Sequence, residues 1–441
     1  MTELSTPRAV IGALSLVAGA VVWASPAAAV EIQEVTSPGG IRALLVEDYT
    51  NPLIAMRFAF EGAGSTADAD GKEGTANLMS GLLDEGAGDI ESQDFQARLD
   101  ELGVSLSFNA GYDNFGGNFR TIVDNEDDAF ELLRLAVNEP RFDEEPVNRI
   151  RGQIATGIIA EENDPGTLAG KAFRETVFPN HPYARPVEGT VETLNGITAE
   201  DLRSFRTSGF ATGNLVVGVV GAIDADRLGE RLDEVFGSLP ENASVPQVAD
   251  VEPVSGETRA VELNVPQATI QMALPGIERD DDDFFAAYLM NHILGGGTFT
   301  SWLYQEIREE RGLAYGVGSY LSNYDHASLL AASTATRADR AEEAVGLIKS
   351  EMERMASEGP TQEELDKAKS YVIGAYAIQN LSSSLDIAST LVGIQLDDLG
   401  IDYIDTRRAD IEAVTLDDVK RLARELLDRE PTVIVVGPTS S

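Results

Sequence analysis

Two residues with side chains suited to peptide chemistry, Arg308 and Tyr315, lie seven positions apart on either side of Gly312. A planar guanidinium can hold a peptide carbonyl or a carboxylate with two donors. A phenol can donate a hydrogen bond to the oxyanion that forms when water attacks a carbonyl. The alternative is structural: Arg308 pairs with neighbouring glutamates on an exposed helix, and Tyr315 fills a half-buried strand position. Residue type and spacing alone leave both explanations open.

The segment 303–320 predicts how these two side chains are positioned. Its sequence, LYQEIREERGLAYGVGSY, is typical of an amphipathic helix that ends at Gly312 and continues as a strand of alternating small and aromatic residues. A glycine at the end of a helix allows the chain to turn. We therefore expect the strand to carry Tyr315 back toward Arg308.

A run of three glycines, Gly295-Gly296-Gly297, precedes this segment. It resembles a phosphate-binding loop, but it follows a helix instead of a strand and lacks the lysine of a P-loop. We expect a tight turn between helices, whose bare backbone could let a peptide approach. The three glycines are therefore candidate substrate-binding residues.

The composition leaves little material for a metal site. The chain has no cysteine, which excludes a disulfide framework, a thiolate zinc site and a cysteine nucleophile. Its three histidines are His181, before a proline in a loop, His292, in an apolar helix, and His326, in a turn. No two of them have the spacing of ligands on one helix face. We expect no catalytic metal in this chain.

The strong negative charge of the chain limits the classes of molecule that it can bind. Among 441 residues, 33 are basic and 74 are acidic, which gives a net charge of −41. One explanation of this charge is solubility, as in a salty habitat, and the other is attraction of cationic peptides. Nucleic-acid binding is excluded in practice, because no basic stripe exists to neutralise phosphates.

The N-terminus is typical of an exported protein. Arg8 is followed by an apolar run over residues 9–24, and small residues at 25–29 offer a cleavage site. The apolar run is shorter than the ~20 residues that span a membrane. We expect residues 1–29 to be a signal peptide, a periplasmic or secreted location in a Gram-negative envelope, and no stable span afterwards. Retention as an anchor is the alternative.

The chain repeats itself at an offset of about 217 residues. Thr198 begins a predicted helix that is followed by a valine-rich strand at 215–221, and Thr415 begins another that is followed by a strand at 433–437. The same offset relates acidic helix starts at 142–145 and 361–364, since 364 − 145 = 219. We infer a tandem of two related domains.

Each repeat mixes helices with hairpin-like strands, which indicates an α+β fold with a mainly antiparallel sheet packed by helices. Three prolines without periodicity mark residues 240–258 as a linker. We therefore place the first repeat at 30–239 and the second, which carries the Arg308–Tyr315 segment, at 259–441.

This arrangement resembles the pitrilysin/insulinase family of zinc peptidases, especially its short bacterial members related to mitochondrial processing peptidase. The resemblance rests on the duplication, on the glycine run leading into 301–320, on Asn180-His181-Pro182-Tyr183 and on the strand at 58–60. It implies that Arg308 and Tyr315 correspond to an Arg and a Tyr that family members direct at the active site.

The same resemblance implies that the zinc motif of the family is absent. Active members carry H-x-x-E-H on the first long helix of the first repeat. Asn77 stands at the position of the first His, Ser80 at the Glu and Gly81 at the second His. The later Glu ligand falls near Thr156-Gly157, one turn before the nearest glutamates. None of these residues serves as a normal zinc ligand or base.

The resemblance therefore implies a non-catalytic subunit of a heterodimeric zinc metallopeptidase. A homologous partner with H-x-x-E-H would hold the zinc, and Arg308 and Tyr315 would complete its active site around a peptide substrate. The alternative is a scaffold or peptide-binding protein of the cell envelope with no role in proteolysis.

Overall fold

The computed structural model describes residues 31–438, so the predicted signal peptide lies outside the described residues. No helix among residues 31–438 is long and apolar enough to cross a membrane. The described chain contains two β-sheets, each covered by helices. The fold is α+β, as the sequence predicts.

The first sheet has six strands in the order β1-β2-β6-β3-β5-β4. Neighbouring strands are antiparallel except β2 and β6, which are parallel. The strands are β1 (Gln33–Thr36), β2 (Arg42–Glu47), β3 (Leu53–Glu61), β4 (Ser105–Ala110), β5 (Asn114–Ile122) and β6 (Leu215–Gly221).

The second sheet repeats this topology without the outermost strand. Its order is β7-β11-β8-β10-β9, and again only one pair, β7 with β11, is parallel. Each strand thus has a counterpart at the same place in the first sheet, which confirms the predicted duplication. The strands are β7 (Thr258–Glu262), β8 (Gln267–Pro275), β9 (Ala314–Tyr324), β10 (Ala327–Arg337) and β11 (Thr432–Gly437).

The helices follow the same repeat. The first repeat contains α1 (Thr75–Ser80), α2 (Ser92–Leu102), α3 (Glu126–Asn138), α4 (Glu144–Glu161), α5 (Pro165–Val177), α6 (Val191–Gly196), α7 (Ala199–Gly209) and α8 (Ala225–Phe236). The second contains α9 (Phe284–Asn291), α10 (Ala341–Ser357), α11 (Gln362–Asn380), α12 (Ser384–Leu396), α13 (Tyr403–Ala413) and α14 (Leu416–Leu427). Thr198 and Thr415 cap α7 and α14 with reciprocal hydrogen bonds, as their sequences predict.

The two repeats exchange one helix each. Helix α5 of the first repeat packs on the second sheet, where Ala172 and Phe173 join one apolar cluster with Ile434 and Val436. Helix α12 of the second repeat packs on the first sheet, and its Gln395 donates a hydrogen bond to the carbonyl of Val217 at 2.9 Å. This reciprocal packing buries apolar surface of one repeat against the other, so we expect the repeats to fold as one unit.

The predicted linker, residues 240–258, is held against the repeats. His181 of the first repeat lies 2.9 Å from the carbonyl of Ala249, and His326 of the second lies 3.0 Å from the Asp250 carboxylate. The backbone nitrogen of Val254 also donates to the carbonyl of Val177 at 3.0 Å. Two of the three histidines therefore have structural partners at the junction of the repeats.

Candidate functional site

Arg308 lies on a wide helical turn instead of the regular helix that the sequence predicts. Residues Tyr304–Glu310 form a π-helix, a rare form that often marks functional sites. Its inner face, with Leu303 and Ile307, is buried in the core of the second repeat. The outer face carries Arg308, whose side chain remains 29% exposed.

Gly312 ends this turn as predicted. Its φ of +61° is a left-handed conformation that glycine adopts without strain. The Leu313 backbone nitrogen donates to the carbonyl of Ile307 at 2.9 Å, and that of Gly312 donates to the carbonyl of Arg308 at 3.0 Å. These bonds satisfy the last carbonyls of the turn and direct the chain into β9.

The structure brings Arg308 and Tyr315 together. The Arg308 guanidinium donates a hydrogen bond to the backbone carbonyl of Tyr315, and its central carbon lies 4.5 Å from the Tyr315 ring centre. The ring of Tyr304 lies on the guanidinium as well, 5.4 Å away. Stacking on two aromatic rings fixes the orientation of a cation that otherwise samples many rotamers.

The Tyr315 side chain is 90% exposed. Its hydroxyl has no hydrogen-bond partner among residues 31–438, so its donor is free for a ligand. One N–H group of the guanidinium donates to the Tyr315 carbonyl, and Nε lies 3.6 Å from the carboxylate of Glu309, so the pairing with a neighbouring glutamate that the sequence also allows is present. The remaining N–H groups have no other partner among residues 31–438 and can bind a carbonyl or carboxylate. The pair is thus held in place by contacts within the protein, while the Tyr315 side chain is exposed to solvent.

The glycines at 295–297 are explained by close packing inside the protein. A Cβ atom on Gly295 would lie 2.5 Å from the Ser319 backbone nitrogen, and one on Gly297 would lie 2.7 Å from the His292 carbonyl oxygen. Gly295 and Gly296 belong to a second π-helical turn, His292–Gly296, that continues α9. Their role in substrate binding remains a prediction.

The position of the family's zinc motif does not fit zinc. Helix α1 has only six residues and contains Asn77 and Ser80, while Gly81 is its cap. The Ser80 hydroxyl donates to the Asn77 carbonyl at 2.8 Å. A Cβ atom on Gly81 would lie 3.0 Å from Cγ2 of Ile150 on α4, so an apolar side chain packs against the place of the second histidine. The site lacks its ligands, and a side chain at position 81 would crowd the Ile150 methyl group.

A buried carboxylate holds the start of α1. Asp68 accepts hydrogen bonds from the backbone nitrogens of Gly74 and Ala76 at 2.7 and 2.9 Å. Burial raises the pKa of Asp68 to about 7, against the lowering effect of these bonds. Asp68 therefore satisfies backbone N–H groups at the start of α1.

No group of three or more candidate metal ligands occurs among residues 31–438. His292 stacks on Tyr371 with ring centres 5.1 Å apart, and burial lowers its pKa. On α4, Thr156 and Gly157 are exposed and provide no carboxylate where the later Glu ligand is expected.

Sequence reasoning missed two features of the site. Tyr304 lies one turn before Arg308 on the same helical face, a spacing that could have indicated their contact. The hydroxyls of Thr334 and Thr336 on β10, which hold the backbone around Tyr315, have no such signal because they are distant in sequence.

Two family models match adjacent parts of the chain. The model described as Insulinase (Peptidase family M16) matches residues 55–191, and the model described as Peptidase M16 inactive domain matches residues 196–372. An uncharacterized zinc protease of Streptomyces coelicolor is 27% identical over 423 residues, covering 92% of this chain and 90% of its own. A non-peptidase homolog of Helicobacter pylori, YmxG, is 26% identical over 347 residues, covering 78% of this chain and 79% of its own.

Solved structures agree. A peptidase M16 inactive domain from Pseudomonas fluorescens superposes with a TM-score of 0.86 at 27% identity, covering 93% of this chain and 99% of its own. A protease from Helicobacter pylori gives a TM-score of 0.83 at 21% identity, which supports the fold alone.

Proposed function

Because this chain belongs to peptidase family M16 as a non-catalytic member without H-x-x-E-H, we propose that it is one subunit of a heterodimeric zinc metallopeptidase. A homologous partner chain carries H-x-x-E-H and the zinc. This chain completes the partner's active site with Arg308 and Tyr315. Both chains are exported and act in the periplasm or outside the cell.

The observation that carries this proposal is the ordered Arg308–Tyr315 pair with its exposed phenol. Arg308 stacks on Tyr304 and Tyr315 and is partly exposed beside Glu309, while Tyr315 is 90% exposed and its hydroxyl has no partner among residues 31–438. Such donors are worth most where charge develops on a substrate oxygen, because they need no reorganisation at that moment. Exposed cation–aromatic contacts contribute only about 0.5–1 kcal/mol, so stability alone gives little reason for this geometry.

Each group has a distinct role in the proposed complex. The Tyr315 hydroxyl donates to the oxygen of the scissile carbonyl as it becomes negative. Arg308 holds a neighbouring carbonyl or carboxylate of the peptide and keeps Tyr315 in place through its backbone carbonyl. The bound zinc supplies an activated water from the partner's side.

The substrate is an unfolded peptide. Strands β4 and β9 are edges of their sheets, and an extended peptide can add to such an edge through backbone hydrogen bonds. The net charge of −41 favours cationic peptides at low salt. Enclosure of the peptide between two subunits would exclude water and fix the scissile bond.

The test is to purify this chain with a homologous chain that contains H-x-x-E-H and to assay each alone and both together on a quenched fluorescent peptide. Activity is expected only with both chains and is expected to be lost on chelation. Tyr315→Phe and Arg308→Ala should each lower kcat by roughly 10²–10³. Tyr320→Phe, a change at another exposed tyrosine of β9, is the matched control.

Two results would contradict the proposal. Chelator-sensitive cleavage by this chain alone would overturn it. A stable complex whose activity ignores both Arg308→Ala and Tyr315→Phe would instead support a scaffold role in the cell envelope.

A further inference from the structure

The direction of Tyr315 depends on a defect in the pairing of β9 with β10. Thr334 pairs with Val317 and Thr336 pairs with Ala314, so two residues of β9, Tyr315 and Gly316, oppose the single residue between the threonines. This is a β-bulge, a feature that redirects a side chain next to many active sites. Regular pairing would alternate sides at every residue.

The bulge is visible in the burial of β9. Ala314 and Val317 both face the core, at 8% exposure each, while Tyr315 and Gly316 between them face solvent. Three positions separate two inward residues, which regular alternation cannot produce. The extra residue is therefore what places the phenol on the same side as Arg308.

Side-chain donors bind the backbone carbonyls around the bulge. The Thr334 hydroxyl donates to the Gly316 carbonyl at 2.8 Å, and the Thr336 hydroxyl donates to the Leu313 carbonyl at 2.6 Å. The carbonyl of Tyr315, between them, accepts from Arg308. Three of the four carbonyls from Leu313 to Gly316 are thus held by side-chain donors.

The two hydroxyls are buried and aligned. Thr334 is 6% exposed and Thr336 is 2% exposed, and residues two apart on a strand face the same side. A buried hydroxyl is costly unless it is bonded, and each of these hydroxyls finds its acceptor at a carbonyl next to the bulge.

We propose that Thr334 and Thr336 are positioning residues that aim Tyr315 by holding the bulge. The catalytic part of this inference rests on the proposed role of Tyr315 in the heterodimer. The hydroxyls do not touch the substrate; they act through the backbone on both sides of Tyr315. The β-branched shape of threonine is suited to a strand, and its hydroxyl is the part that this position requires.

The test distinguishes the role of the threonine hydroxyl from the role of the β-branched shape of the side chain. Thr334→Val and Thr336→Val keep the shape and remove the donor, and Thr334→Ser and Thr336→Ser keep the donor. With the catalytic partner present, each valine variant is expected to lower kcat by about 10- to 100-fold, because small misplacements of a catalytic group cost that much. KM should stay within about twofold, and the serine variants should recover most of the loss.

Thr432→Val is the matched control. Thr432 is fully buried on β11 of the same sheet, and its hydroxyl also donates to a backbone carbonyl, that of Val254, at 2.7 Å. It lies on another strand, away from the bulge, so its replacement should affect stability without lowering kcat. An equal loss of kcat in Thr432→Val and in the Thr334 and Thr336 variants would overturn the positioning role.

Amide hydrogen exchange on this chain alone supplies a readout that needs no partner. The valine variants should speed exchange at residues 316–318 at least tenfold relative to Thr432→Val, since the bulge loses its anchors. Unchanged exchange would overturn the inference even if the heterodimer is active. If Arg308→Ala and Tyr315→Phe both leave kcat unchanged, the proposed function fails, and amide exchange still decides whether the threonines hold the backbone around Tyr315.

Discussion

Restoring the zinc motif is expected to fail, because its site has also lost space. The triple variant Asn77→His, Ser80→Glu, Gly81→His recreates H-x-x-E-H on α1. A side chain at position 81 crowds Ile150, whose Cγ2 lies 3.0 Å from a Cβ atom there and has to shift to accept it. Overpacking of this kind costs typically 1–3 kcal/mol. A third ligand is also missing, since Thr156 stands near the place of the family's glutamate and catalytic zinc sites use three protein ligands.

The free-energy cost of overpacking can be compared with the stabilisation that zinc binding would give. A site with a Kd of about 1 μM in about 100 μM zinc would gain roughly 2.7 kcal/mol of stability. We expect the triple variant to lose about 1–3 kcal/mol in urea unfolding and to show no gain with zinc.

The assay is urea unfolding with and without zinc, with calorimetric titration of zinc alongside. Gly157→His is the matched control, since this glycine of α4 has open space and should tolerate the ring without loss. Adding Ile150→Ala and Thr156→Glu to the triple variant removes both obstacles, and zinc-dependent stabilisation is expected there first. Stoichiometric micromolar zinc binding by the triple variant alone would refute the argument from packing.

Three further predictions concern stability. Gly218→Ala should cost about 1–3 kcal/mol in urea unfolding, since a Cβ atom there would lie 2.6 Å from a backbone oxygen of α12. Gly374→Ala, a helical glycine in open space, should instead stabilise by up to about 1 kcal/mol, and equal effects would contradict the exchanged packing. Tyr183→Phe should also cost about 1–3 kcal/mol, because its hydroxyl donates to the buried Asp113 carboxylate at 2.7 Å; an unchanged midpoint would refute this. Burial raises the pKa of Asp68 from 3.8 to about 7, so its protonated form stabilises the fold at low pH, and unfolding free energy should fall as pH rises from about 4 to 7. Asp68→Asn should flatten that dependence in unfolding curves recorded across this range, and an unaltered slope would exclude Asp68 as its source.

The duplication could be predicted from the sequence because its signals are local. A capping threonine marks a helix start, and a valine-rich run marks a strand, wherever they occur. Both signals recur at the predicted offset, at α7 with β6 and at α14 with β11. The exchange of α5 and α12 could not be predicted in this way, because an apolar helix face does not indicate which sheet it covers.

The candidate site, like the fold, could be predicted only in part from the sequence. The spacing of Arg308 and Tyr315 around Gly312 indicated that the chain turns back, and the structure brings the two together. The π-helical turn and the bulge were not predictable, since each shifts the register by a residue that periodicity does not resolve. Thr334 and Thr336 resemble any alternating strand positions until their partners across the strand are known.

The two repeats differ in which part of an active site their geometry still supports. In the first, no residue of H-x-x-E-H remains, and a side chain at position 81 would lie 3.0 Å from the Ile150 methyl group already at its Cβ atom. In the second, a bulge with buried hydroxyls holds Tyr315 in water at 90% exposure, where it adds little to the core. The requirement for close packing accounts for the contact between Gly81 and Ile150 in the first repeat. It does not account for the arrangement in the second, since a regular strand would satisfy the same carbonyls without two buried threonine hydroxyls. This contrast supports the proposal that Tyr315 meets a ligand on the exposed side of the chain.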